Sequence, residues 1–308
     1  MWKYIVKRIL VMIPTLFVVI LIIFILVNIT PGDPARMMLG NSATQEQVDE
    51  LNHKLHMDEP VMLRYIYYIR DALRLDFGTS FRTGQPAFAE LLPKVPVTFI
   101  IAFSTAFLSF AIGVPLGIVA ALKEHTLVDS TLTVITLVIS AIPSFWLALI
   151  LIIVFSVKLG WLPSSGLGSP LHYVLPVLSL AAGGVSSYVR ITRSNMQEAM
   201  RQDYIKTARS KGASKARVVV VHALRNALIL VAHSAAMNFV ALMGGSMLTE
   251  TIFGLPGIGS TILQAVNNKD IPIIMASTIF VTLILMIGML LVDVLSAFLD
   301  PRIKARYK

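Results

Sequence analysis

Between Arg201 and Ala227 the sequence reads RQDYIKTARSKGASKARVVVVHALRNA, in which Arg201, Lys206, Arg209, Lys211, Lys215, Arg217 and Arg225 face one acid, Asp203. A compact basic segment suits three tasks. It can anchor membrane topology, grip nucleic acid, or dock onto a protein partner. Few other residues are suited to chemistry. Glu250 and Asp293 are acids set among apolar neighbours, and a charge at membrane depth is costly enough to suggest function. Glu250 is expected at an outer gate or in interfacial water, and Asp293 either beside Arg190 or Arg193 or, as a pathway candidate, at the substrate. His53 and His56 are three apart on an expected helix, a weak metal signal without a third ligand. No G-x-x-x-x-G-K-[ST] loop is present to cradle phosphates. Gly244 and Gly245, in LMGGSM, fall within an expected span and read as small-residue helix packing.

The elements that position these residues follow from composition. The chain has 308 residues, 56% hydrophobic and 14% charged, with a mean hydropathy of +0.77 and a net charge of +9. Soluble domains carry about a quarter charged residues, so this is an integral membrane protein. Without cysteine it has neither disulfides nor thiolate metal sites. Apolar runs near 9–29, 97–122, 131–157, 173–192, 226–249 and 272–298 are long enough to cross a bilayer. Six helices are expected, because a span must satisfy its own backbone hydrogen bonds. Lys3, Lys7, Arg8, Lys123, the 190–225 cluster and Arg302, Lys304, Arg306 and Lys308 then fall on one side. Only Lys158 and Lys269 occupy the short loops opposite. Basic residues collect in the cytoplasm, so both termini are expected there, with the first span uncleaved.

The long loop after the first span, 31–93, is expected to fold outside. Val48, Leu51 and Leu55 share one helical face behind Ser42 or Thr44 as cap. Met62, Ile66, Ile69 and Leu73 share a second, ending near Gly78. This cap is expected either to pack on the spans or to meet a substrate or delivery protein. Pro115, Pro143 and Pro176 mark possible kinks within spans, and Pro143 is a candidate pathway residue. In the basic segment, 197–210 reads as a helix with Ala199, Met200, Tyr204 and Ala208 at its small or apolar positions. Gly212 is its stop, and Ser214 caps a second helix leading into the next span. An anchor needs fewer charges than this hairpin carries, and nucleic-acid binding is rare between membrane helices. Docking of a short helix in a partner groove suits it best.

The stretch DYIKTARSKGASKARVVVVHALRNAL resembles the coupling loop of type I ABC importer permeases, specifically the peptide/nickel family of dipeptide and oligopeptide permease B type. Tyr204, Thr207, Ala208, Arg209, Lys211 and Gly212 match that family's Tyr-x-x-Thr-Ala-Arg-x-Lys-Gly, with Lys206 between them. Leu230 stands where the family usually has proline. PGDPARMMLG, LDFGTSF, GGSMLTETIFGLPGIG and LVDVLSAFLDPRIK resemble further family motifs along the whole chain. The resemblance implies an all-α fold. It comprises an N-terminal helix (1–30), a helical extracytoplasmic insertion (31–94), a permease core (95–299) with a coupling loop at 194–225, and a basic tail (300–308). It implies a second related permease, two cytoplasmic ATPases that bind the ATP and magnesium, and an extracytoplasmic binding protein. It places the chain in a bacterial cytoplasmic membrane and implies import of small peptides, with nickel complexes or glutathione as alternatives. Tyr204, Lys206, Thr207, Ala208, Arg209, Lys211 and Gly212 become the expected ATPase-coupling residues, with Ala208 and Gly212 allowing close approach. An ion-driven secondary transporter would call for paired halves and midplane carboxylates, and a membrane-anchored receptor would not need six spans.

Overall fold

The computed structural model describes residues 2–29, 33–40 and 42–299. Fifteen α-helices run through them in order. The first five are α1 (Trp2–Ile29), α2 (Pro34–Leu39), α3 (Gln45–Lys54), α4 (Val61–Ala72) and α5 (Ala87–Leu91). Then come α6 (Val95–Leu122), α7 (Leu127–Ala141), α8 (Ser144–Leu151), α9 (Val174–Arg201) and α10 (Asp203–Ser210). The last are α11 (Lys215–Arg217), α12 (Arg225–Met243), α13 (Met247–Ile252), α14 (Ile258–Asn267) and α15 (Ile271–Leu299). Thr79 and Pro86 form an isolated bridge, and no strand is present among the described residues.

Five helical stretches are long and apolar enough to cross a membrane, and a bent pair can supply the sixth. The straight ones contain α1, α6, α9, α11–α12 and α15. The bent pair is α7 with α8, extended by a π-helical turn over Ile152–Lys158 and broken by 92°. The expected 131–157 span is therefore interrupted at Ile142, which is extended (ψ 121°), and at Pro143, which caps α8. Proline disfavours the helical conformation in the residue before it, so the chain turns there. Pro176 lies in the first turn of α9, where a missing N–H costs nothing.

The core is the pairing of α6 with α9. A Cβ on Gly113 would lie 2.8 Å from the Val185 carbonyl oxygen, and one on Gly117 2.8 Å from that of Val189. The two backbones thus touch, which is how helices associate in lipid, where burial of apolar area supplies little drive. Ser109 adds a hydrogen bond to the Ala181 carbonyl at 3.3 Å.

The segment between α1 and α6 carries four short helices, α2 to α5, and three motifs pin it. Asp33 of PGDP accepts from the amides of Ala35 and Arg36, capping α2, and from the Asn52 side-chain amide of α3. Thr44 caps α3 in a reciprocal box with Gln47, and Val48 is buried. In LDFGTSF, Phe77 enters a core with α1 and α15. Ser80 Oγ donates to Asp270 Oδ2 at 2.5 Å, and the Phe81 amide donates to Oδ1 at 3.1 Å.

Several expectations are corrected. α4 turns Tyr65, Tyr68, Ile69 and Ala72 inward and leaves Met62, Ile66 and Leu73 exposed. Tyrosine wins the packed face because its ring buries more area, and the Tyr65 hydroxyl also donates to the Phe17 carbonyl at 2.9 Å. The 197–210 helix is two helices, because Gln202 is extended (ψ 153°) between α9 and α10. The fifth span ends at Met243, so Gly244 and Gly245 lie past it rather than within a packed helix. The basic tail, 300–308, lies outside the described residues.

Candidate functional site

α10 is a two-turn helix laid across the end of the bundle. Ile205 and Ala208 face inward, onto a cluster of Met196 and Ala199 from α9, Val218, Ala223 and Ala227. Tyr204, Lys206, Thr207, Arg209, Lys211 and Gly212 are exposed. Ala208 therefore serves packing within the chain, correcting its expected place at a partner contact. Ile205, which drew no attention in the sequence, is the deeper anchor; its position three before Ala208 was the available signal.

The ends of α10 are fixed. The Gly212 amide donates to the Arg209 carbonyl, the Ala213 amide to the Ala208 carbonyl, and Gly212 has φ +80°. This is a Schellman stop, which the left-handed conformation of glycine permits. A Cβ on Gly212 would meet nothing within 4 Å, so the conformation, not crowding, demands glycine. Ser214 then accepts from the Arg217 amide and starts α11. Lys206 pairs with Asp203 at 2.8 Å, an exposed contact worth little. Among the described residues no carboxylate pairs with Arg209 or Lys211. The outward face can thus bind an acidic surface, and it holds no nucleophile–base pair.

Two ion pairs tie α9 to the start of α7 and to the loop before it. Arg193 grips Asp129 with two bonds, 2.5 and 2.8 Å, and Asp129 is buried. Arg201 reaches Glu124 at 2.9 Å. Asp129 had been passed over in the sequence, although an acid opening an apolar run was a signal. Arg190 donates to Ser140 Oγ at 3.1 Å, close to the break at Pro143. Asp293 pairs with neither Arg190 nor Arg193; its partner is Arg8 of α1 at 3.0 Å. α1 and α15 run side by side there, while α7 has already claimed Arg193.

Glu250 lies beyond the fifth span, on α13. It is fully buried, which corrects the interfacial-water expectation. Its Oε1 accepts from Thr98 Oγ1 of α6 at 3.0 Å, and its Oε2 from the Ser260 amide at 2.9 Å. Thr98 Oγ1 also accepts from the Ile258 amide. A Cβ on Gly257 would lie 2.4 Å from the Glu250 carboxyl, so the GLPGIG loop closes around it. The site is a clamp joining α6, α13 and α14. His53 ends α3 and His56 lies past it at φ +57°, so the two do not share a helix. They approach Asp58 and Glu59 separately.

Comparison with known proteins agrees with this geometry. Residues 113–305 match the family model "Binding-protein-dependent transport system inner membrane component", and residues 1–102 match its N-terminal companion. A putative peptide transport system permease protein of Brucella abortus (strain 2308) is 36% identical over 312 residues, 99% of each chain. The glutathione transport system permease protein GsiC of Escherichia coli (strain K12) is 36% identical over 308 residues, all of both chains. The inward-facing MetNI methionine ABC transporter shares the fold, with TM-scores of 0.54 and 0.57 in two crystal forms at 21% and 19% identity. Its matching chain is covered almost whole, at 96%, but spans only 68% of this one. Full-length kinship with the permeases, the helical bundle and the exposed α10 together identify this chain as a multi-pass ABC importer permease of the peptide/nickel family, within the binding-protein-dependent inner membrane components.

Proposed function

We propose that this chain is one of two related permease subunits through which short peptides enter a bacterium, driven by ATP in separate cytoplasmic ATPases. The observation that carries the reading is α10, whose basic face points outward while Ile205 and Ala208 pack it onto α9. Arg209 and Lys211 reach acids in an ATPase groove. Closure of the ATPase dimer on ATP and magnesium then moves α10, and α9 and α12 carry that motion into the bundle. The positive-inside bias supports cytoplasmic termini, and the 31–94 insertion then faces a binding protein. The relatives' names support a peptide cargo, and glutathione is itself a tripeptide.

The test is co-purification of the chain with its genomic neighbours, with only this chain tagged. Two ATPases and a second permease are expected, and a double variant Arg209→Glu/Lys211→Glu should lose the ATPases. The reading fails if the chain purifies alone and moves solute down an ion gradient in liposomes.

A further inference from the structure

A cavity of about 880 Å³ lies between the Ile29 end of α1, helices α2–α4 of the insertion and the start of α15. Its wall is graded. Ile23 and Val27 of α1 and Ile274 and Met275 of α15 make one side apolar, while Arg64 and Lys54 from the insertion line the other. Lys54 is already paired with Glu50 at 2.7 Å. Among the described residues the Arg64 side chain pairs with no acid, and its one side-chain hydrogen bond goes to the Met57 thioether, at 2.7 Å. Burial alone presses its pKa down. A half-buried guanidinium without an anion is costly, and the cavity beside it is where an anion would fit. The acids on the same wall are engaged elsewhere, Asp71 with Arg70 and Asp76 with the Gly78 amide.

The cavity lies beside a membrane span. Tyr65 of α4 bonds to the Phe17 carbonyl, which lies about 18 Å along α1 from its Ile29 end. α4 therefore lies beside a span. Met62 and Ile66 of α4, and Leu73 at its end, are exposed, as are Val18, Ile22 and Ile25 of α1. Arg70 and Arg74 are exposed beside that face of α4.

We infer that this cavity holds one acidic phospholipid from the leaflet opposite α10, its phosphate on Arg64 and an acyl chain along Ile23, Val27, Ile274 and Met275. The inference rests on the family's membrane placement and not on the transported solute. A bound lipid would fill the space between α1, the insertion and α15 and fasten the insertion to the bundle.

The experiment uses the whole transporter, purified in mild detergent, stripped of lipid and titrated with phosphatidylglycerol, phosphatidylethanolamine or inorganic phosphate. Native mass spectrometry reads the adduct and thermal unfolding reads the stabilisation. One phosphatidylglycerol per chain is expected, held about tenfold more weakly by Arg64→Gln and normally by Arg64→Lys. Met275→Trp, which fills the apolar side, should exclude the lipid while leaving the charge in place. Unchanged lipid retention in both Arg64→Gln and Met275→Trp transporters that assemble normally would overturn the site. Equal stabilisation by inorganic phosphate would make it a free-anion site and overturn the lipid assignment. Transport activity enters neither readout, so failure of the lipid site and failure of the peptide-import reading are separable.

Discussion

α10 and α13 are both short helices that follow a break at the end of a long one, and they use charge in opposite ways. α10 buries Ile205 and Ala208 and turns its basic side chains outward. α13 buries its one acid, Glu250, and ties it to Thr98 and the Ser260 amide. An outward charge keeps its hydration and is available to a partner. An inward charge must be satisfied within the chain, so it fixes geometry. The difference separates an end of the bundle that leaves its charges exposed from an end that uses its charge to hold its own shape.

Removing the inward charge should do the most damage. Glu250→Ala leaves the Thr98 hydroxyl and the Ser260 amide without their acceptor, each buried orphan costing about 1–3 kcal/mol. We expect a loss on the order of 3–5 kcal/mol, read as a lowered unfolding temperature of the purified transporter. A wild-type melting profile would refute the clamp. Reversing the outward charges should spare stability and remove coupling. Purified without ATPases, Arg209→Glu/Lys211→Glu should melt like the parent chain treated alike, yet in cells it should lower peptide uptake at least tenfold, since truncating desolvated interface charges costs about 2–5 kcal/mol. Normal uptake by this variant would take the coupling role from α10.

Two smaller changes sharpen the contrast. Asp129→Ala frees Arg193 and loosens α9 from α7, with an expected cost on the order of 2 kcal/mol. Uptake should fall with it, while ATP hydrolysis by the assembled complex continues; tightly coupled transport in this variant would show that α9 needs no such brace. Gly212→Trp strains a residue at φ +80° by about 1–2 kcal/mol and places a ring on the exposed face. Membrane insertion should remain normal, read by the amount of chain in the membrane fraction. Peptide uptake should drop, and unimpaired uptake would argue that no partner surface approaches this turn.

Long, continuous features were legible before any coordinates. The spans, the Gly212 stop and the Ser214 and Thr44 caps all follow from local chemistry that a short window of residues contains. Face assignment on α4 failed because apolar periodicity identifies a stripe without saying what it meets. Here Tyr65 and Tyr68 meet the cluster of α1 and α15, and Met62 and Ile66 are left outside. The α9–α10 break was missed for a related reason. Gln202 carries no breaker signal, and the turn exists because Ile205 and Ala208 are drawn onto Met196 and Ala199.

By itself the sequence determined the all-helical membrane class, the order of its elements, the basic segment and the family motifs, because hydropathy and capping act between near neighbours. Tertiary structure alone decided the pairings. Arg193 with Asp129, Arg8 with Asp293, Ser80 with Asp270 and Thr98 with Glu250 join residues distant in the chain. Which cation meets which acid depends on which helices lie side by side, and that is set by where backbones can touch, as at Gly113 and Gly117.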